Sequence, residues 1–144
     1  MRFNTKDITY YNQPFDHWVL DDFLDVNDAK KLSNQFIDFD NPTEEIIHYK
    51  GWIGEKRTCN RWDRFPPLTY STFSNLLSDK FIDKLSDITG ISPLYPDIGL
   101  HGGGWHMSGK GGSLAMHLDY SIHPKMNLQR KLNLIIYLEE DYNL

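Results

Sequence analysis

A chain of 144 residues that is 40% hydrophobic has the size of one domain and enough apolar material for a core. A net charge of -5 offers no basic field to meet phosphates, which argues against nucleic acid as a partner. One cysteine, Cys59, excludes an internal disulfide, no apolar run reaches 18 residues, and the first five residues lack a signal-peptide core. The expectation is a soluble cytoplasmic domain with no membrane partner.

In chain order, Phe15 to Leu20 reads as a short strand. Asp25 or Asn27 then caps a helix running to about Phe39, with Ala29, Leu32, Phe36 and Phe39 on one stripe, and Asn41-Pro42 ends it. Glu45 to Tyr49 has strand character, whereas Lys50 to Arg64 is mixed and carries no clear period. Pro66-Pro67 opens a helical pattern through Tyr70, Phe73, Leu76 and Leu77. Ser78 or Asp79 caps the next helix, whose face is Phe81, Ile82, Leu85 and Ile88, with Gly90 as its C-cap. Pro93 and Pro96 then break the chain, and glycines cluster from Ile98 onward.

The back part, 98–144, reads as strands. Leu114, Met116 and Leu118 alternate with Ala115, His117 and Asp119, and Leu132 to Leu138 is a nearly continuous apolar run of the kind found in a buried strand. The fold expected is α+β in one domain, with a helix-rich front over 1–97.

His117-Leu118-Asp119 carries the chemistry. Two positions apart on an extended segment, an imidazole and a carboxylate point to the same side, where one metal ion can take both. With a second His from elsewhere they would complete the facial triad of a non-haem Fe(II) centre. The tripeptide alone is common, and a surface Asp paired with a partly buried His is the plain alternative.

Three other features compete. Gly104 to Lys110 has the spacing of a phosphate-binding loop, but Gly111 stands where Ser or Thr would hold Mg2+, and a strand rather than a helix follows. Lys110 is better read as a hairpin tip. His101, His106, His117, Asp119 and His123 fall within 23 residues, which leaves a zinc-binding domain open. Arg57, Arg61, Trp62 and Arg64 form a basic-aromatic cluster that either faces an anionic substrate or is a solvated loop with Trp62 tucked into the core.

Two blocks, Gly112-Ser113-Leu114-Ala115-Met116-His117-Leu118-Asp119-Tyr120 and Arg130-Lys131-Leu132-Asn133-Leu134-Ile135-Ile136-Tyr137-Leu138, together resemble the prolyl-4-hydroxylase-like branch of the 2-oxoglutarate and Fe(II)-dependent oxygenases. The resemblance spans about Leu100 to Tyr142 and is fainter over Phe15 to Phe39. It implies N-terminal helices packed on a partial double-stranded β-helix, jelly-roll or cupin-like, with His117 and Asp119 as iron ligands. It implies Tyr137 as a hydroxyl donor to the far carboxylate of 2-oxoglutarate, with ascorbate as a further cofactor. The activity implied is hydroxylation of a C–H bond in a peptide, prolyl residues included, or in a small-molecule substrate, with succinate and CO2 as co-products.

Glu139 stands where the family usually has Asn. The family's distal His and its basic anchor for 2-oxoglutarate have no counterpart up to Leu144, so the expectation is a C-terminally incomplete chain, inactive alone. A non-catalytic jelly-roll binding domain is the alternative from another class. Oligomeric state is not legible in the sequence.

Overall fold

The computed structural model describes residues 1–37, 56–108 and 114–139. Ile8–Tyr11 (β1) and His17–Leu20 (β2) are rich in β-branched and aromatic residues and pair antiparallel, Ile8 opposite Leu20 and Tyr11 opposite His17. The directly opposed Tyr10 and Trp18 rings stand 5.4 Å apart, and the Tyr10 hydroxyl donates to Asp16 at 2.7 Å. That bond to a carboxylate holds the Tyr10 phenol above its ordinary pKa.

Val26–Ile37 forms α1. Its start is where the sequence places it: Asp25 Oδ1 accepts from the Asn27 N–H at 2.9 Å, and the Asp25 carbonyl accepts from Ala29. Leu32 is the most deeply buried apolar side chain among the described residues. Phe39, Asn41, Pro42 and the strand expected over Glu45 to Tyr49 lie outside the described residues. Lys56–Cys59 is β3, in the stretch that shows no period, and Trp62–Arg64 is a single 3-10 turn.

Pro67–Leu76 is α2, with proline at its first position. Its buried side is Thr69, Thr72 and Leu76, while Tyr70, assigned inward from the apolar pattern, stays half exposed. The threonines tolerate burial because their hydroxyls are satisfied. Thr69 Oγ1 and the Thr69 N–H both donate to Gln35 Oε1 of α1, at 2.8 and 3.1 Å, and Thr72 Oγ1 donates to the Leu68 carbonyl at 2.8 Å. One amide oxygen thus latches α1 to α2.

Asp79–Thr89 is α3, capped as expected. Ser78 Oγ accepts from the Phe81 N–H, and Gly90 ends the helix in the left-handed region at φ 71°. Phe81 is buried against Phe3 and Phe23, whose rings stack at 4.9 Å, so the chain start is clamped onto α3. A second aromatic group, Trp62, Phe65, Phe73 and Trp105, fills the space beside α2. Among the described residues, no helix is long and apolar enough to cross a membrane.

Trp105–Ser108 is β4, and its partner is β3, in the register Cys59 opposite Trp105 and Lys56 opposite Ser108. The described residues therefore hold three α-helices and two separate two-stranded antiparallel sheets, an α+β arrangement.

The strands expected over Leu114 to Asp119 and Leu132 to Leu138 are not formed; both stretches are irregular. Met116 and Leu118 are 99% and 98% exposed, so neither belongs to a buried face. Alternation is only half of a strand. The backbone also needs a neighbouring ladder, and a seven-residue apolar run needs cover on both faces. Among the described residues neither stretch has these.

Two glycines separate conformational from steric cost. A Cβ at Gly90 would meet open space, whereas at Gly104, with φ 97°, it would collide with the Cys59 carbonyl oxygen and the Asn60 Cα. G90A is expected to cost about 1 kcal/mol, and G104A more than about 2 kcal/mol because the β3–β4 junction must also shift. Urea denaturation of the two variants checks the order; equal losses would remove the close approach from the account.

Candidate metal centre

Past β4 the described chain resumes at Leu114 and runs exposed to Asp119. His117 Nδ1 lies 2.9 Å from the Ala115 carbonyl oxygen. A carbonyl only accepts, so Nδ1 donates there, and whenever the ring is neutral its lone pair lies at Nε2. That nitrogen is 3.6 Å from Asp119 Oδ1, and both side chains are about half exposed. The spacing of two thus brings the pair together without a regular strand.

The contact has a direct electrostatic consequence. A lone pair facing a carboxylate oxygen is repulsive unless a cation sits between them, and that cation is either a proton or a metal ion. Two donors about 2.1 Å from one ion stand roughly 3.0 to 3.5 Å apart as the angle widens from octahedral to tetrahedral. A small side-chain rotation would bring the pair into that range. His17 also sets Nδ1 on the carbonyl two residues before it, Phe15 at 2.9 Å, so that bond is a local habit of the chain. The carboxylate partner distinguishes His117.

Asp119 has a second partner. Its Oδ2 is 3.2 Å from Arg130 Nη2, and the guanidinium carbon lies 4.9 Å above the centre of the Tyr120 ring. The Tyr120 hydroxyl donates to the His101 carbonyl at 2.8 Å. Burial lifts the Tyr120 phenol above its ordinary pKa, with Asp97 and Asp119 adding to that shift and Arg130 opposing it.

A reverse turn makes this meeting possible. Arg130 N–H donates to the Ser121 carbonyl and His123 N–H to the Leu128 carbonyl, both at 2.8 Å, with Ile122 bridged to Gln129. At the tip, Asn127 takes φ 53°, a region Asn tolerates, and donates its N–H to the His123 carbonyl. Tyr120 and Arg130 therefore leave the two legs of the turn side by side.

His123 is the turn's internal fastening. It is 7% exposed, and its Nδ1 accepts from the N–H groups of Lys125 and Met126 at 3.2 and 3.0 Å. The neutral ring then carries its proton on Nε2, which lies 3.3 Å from Asp97 Oδ1. Both atoms are buried without an aligned hydrogen bond, so the contact is a close charge–dipole pairing with the N–H directed off the line of centres. Asp97 Oδ2 accepts from the His101 N–H.

A nitrogen that already accepts two backbone bonds, opposite one that holds a proton, leaves His123 no lone pair for a metal. His106 Nε2 lies 3.4 Å from the Gly103 carbonyl oxygen. Among the described residues no three His, Cys, Asp or Glu side chains gather where a metal ion could sit. The five-residue zinc set therefore does not assemble there, and neither does a third ligand for His117 and Asp119.

The remaining candidates are placed as follows. Tyr137 is 75% exposed, and no described hydrogen bond or ring contact ties it to His117 or Asp119. Trp105–Ser108 within the phosphate-loop spacing is strand β4, and Lys110 lies outside the described residues. In the basic-aromatic cluster Asp63 answers the charge: Arg61 meets it through two bonds of 2.7 and 3.2 Å, and Arg64 stands 3.9 Å away. Trp62 packs among Phe65, Tyr70 and Phe73 and donates to the Ile98 carbonyl at 2.8 Å. Arg61 and Arg64 stay solvated, their side chains 59% and 45% exposed.

Arg130, Tyr120 and Asp97 received no role from the sequence. The signal available was Pro124 followed by Asn127, a turn pattern that brings 119–122 beside 129–130.

The Arg61 hydrogen bonds hold the Asp63 carboxyl below its ordinary pKa of 3.8. A depressed carboxylate contributes stability above its unfolded pKa and loses it as pH falls through the folded value. An NMR titration of Asp63 should show a midpoint below 3.8, returning upward in R61M. An unmoved midpoint in R61M would dissolve the pairing.

No family model, curated protein or solved structure matches the chain.

Proposed function

We propose that the chain belongs to the Fe(II)- and 2-oxoglutarate-dependent oxygenases of the prolyl-4-hydroxylase-like type, acting on a C–H bond of a peptide or small-molecule substrate. The observation that carries this reading is the convergence of His117 Nε2 and Asp119 Oδ1, 3.6 Å apart, on a ring whose Nδ1 faces the Ala115 carbonyl oxygen. A bound Fe(II) with 2-oxoglutarate and O2 would supply the oxidising chemistry, one oxygen atom going to the substrate C–H and the other to succinate, with release of CO2.

The chain's own part is to hold two adjacent positions of the metal, leaving others for the co-substrate. Tyr137 would donate its hydroxyl to the far carboxylate of 2-oxoglutarate, and ascorbate would act as an accessory reductant. The partial double-stranded β-helix belongs to the same reading. It requires 132–138 to gain strand neighbours on both sides, which would bring Tyr137 in from solvent.

Among the described residues two donors stand together, and two bind weakly, so the chain by itself should release succinate from 2-oxoglutarate no faster than H117A. The test of the reading is anaerobic dialysis against Fe(II). Retention should rise when 2-oxoglutarate is added and fall to background in H117A and in D119A. Equal retention by all three proteins, or indifference to 2-oxoglutarate, would overturn it.

A further inference from the structure

We infer that Arg130 is a positioning residue for Asp119. It occupies one carboxylate oxygen so that the other alone is offered to a divalent cation beside His117. The inference rests on the reading of His117 and Asp119 as metal ligands and adds to it the group that sets the carboxylate's orientation.

A half-exposed aspartate has a broad terminal torsion and no intrinsic reason to turn one particular oxygen toward a neighbour. Here the two oxygens face different groups. Oδ2 lies 3.2 Å from Arg130 Nη2, and Oδ1 lies 3.6 Å from His117 Nε2. Arg130 is able to fix this because its own position is fixed. Its side chain is only 21% exposed, its guanidinium lies over the Tyr120 ring, and its backbone N–H is bonded to Ser121. Tyr120 is in turn bonded to the His101 carbonyl, and its ring meets those of His101 and His123 at 5.3 and 5.8 Å. The chain of support therefore runs from the buried turn around Asp97 and His123 out to the exposed carboxylate.

Two opposite effects follow from a guanidinium at this place, and their signs differ. As a positive charge, Arg130 repels a cation bound at Oδ1. As an ion-pair partner of Oδ2, it hinders two-oxygen chelation and lowers the entropy cost of choosing Oδ1. Near solvent the repulsion is screened, while partners that orient a ligand are worth about tenfold or more in metal affinity. Orientation should win.

The test is paramagnetic broadening of amide NMR signals by Mn(II), titrated into the full chain, which reads weak binding without turnover. In the wild-type protein the signals around His117 and Asp119 should broaden first, and D119N should abolish this. R130M, which keeps length and removes charge and donors, should need about tenfold more Mn(II) for the same broadening. R130K, which keeps a positive charge for Oδ2, should recover part of the loss. The unperturbed signals of α2 and α3 report in the same spectra that each variant is folded.

Tighter binding by R130M would mean that charge repulsion is the whole effect, and equal binding that Arg130 does nothing; either overturns the inference while leaving the ligands in place. Broadening that survives D119N, or never centres on His117 and Asp119, overturns the metal reading itself and the role of Arg130 with it.

Discussion

From residue 114 onward the described chain is held by a small knot of side chains more than by a backbone ladder. Asp97 takes the His101 N–H on one oxygen and faces the buried His123 ring with the other, while Tyr120 reaches the His101 carbonyl. These contacts fasten an otherwise exposed segment to the turn that follows α3. The candidate site depends on them, because the Arg130–Asp119 contact exists only when the Ser121–Arg130 turn is closed. Removing any member of the knot therefore acts on the site from a distance.

The front of the molecule is built differently. There, burial of aromatic rings around Phe81 and around Trp62 does most of the work, and the buried threonines are paired. Gln35 answers two donors of Thr69, and the Thr72 hydroxyl is returned to its own helix. Apolar packing organises the front, and directional bonds organise the back. The front is a platform, while the chemistry-bearing groups sit on a stretch whose shape depends on a few hydrogen bonds.

The histidines show how little residue type says without its second nitrogen. His117 and His123 are six residues apart, and both lie near a carboxylate. In His117 a carbonyl takes the Nδ1 proton, which leaves Nε2 as the nitrogen turned to the carboxylate. In His123 two backbone N–H groups take the Nδ1 lone pair and leave a proton at Nε2. One ring is free to bind a cation and the other is a bracket for a turn. Spacing counts in the sequence treated both as equal members of a possible zinc set, and the hydrogen-bond partners separate them.

Local signals were legible in the sequence, and for a physical reason: they are satisfied within a few residues. The Asp25 and Ser78 caps, the Gly90 stop, the proline that opens α2, the β2 strand and the shared side of His117 and Asp119 all follow from neighbours along the chain. What only the tertiary structure decided concerns partners far away in sequence. Strand β3 lies in a stretch without a period and exists because β4 pairs with it, while the strongly patterned 114–119 and 132–138 lack a ladder and stay irregular. Threonines of α2 are buried where Tyr70 was expected, because Gln35 of another helix satisfies them. Arg130 gains its place through a turn and an aromatic face that no spacing rule contains. Alternation and capping are properties of a segment; pairing, cover and orientation belong to whatever the fold sets beside it.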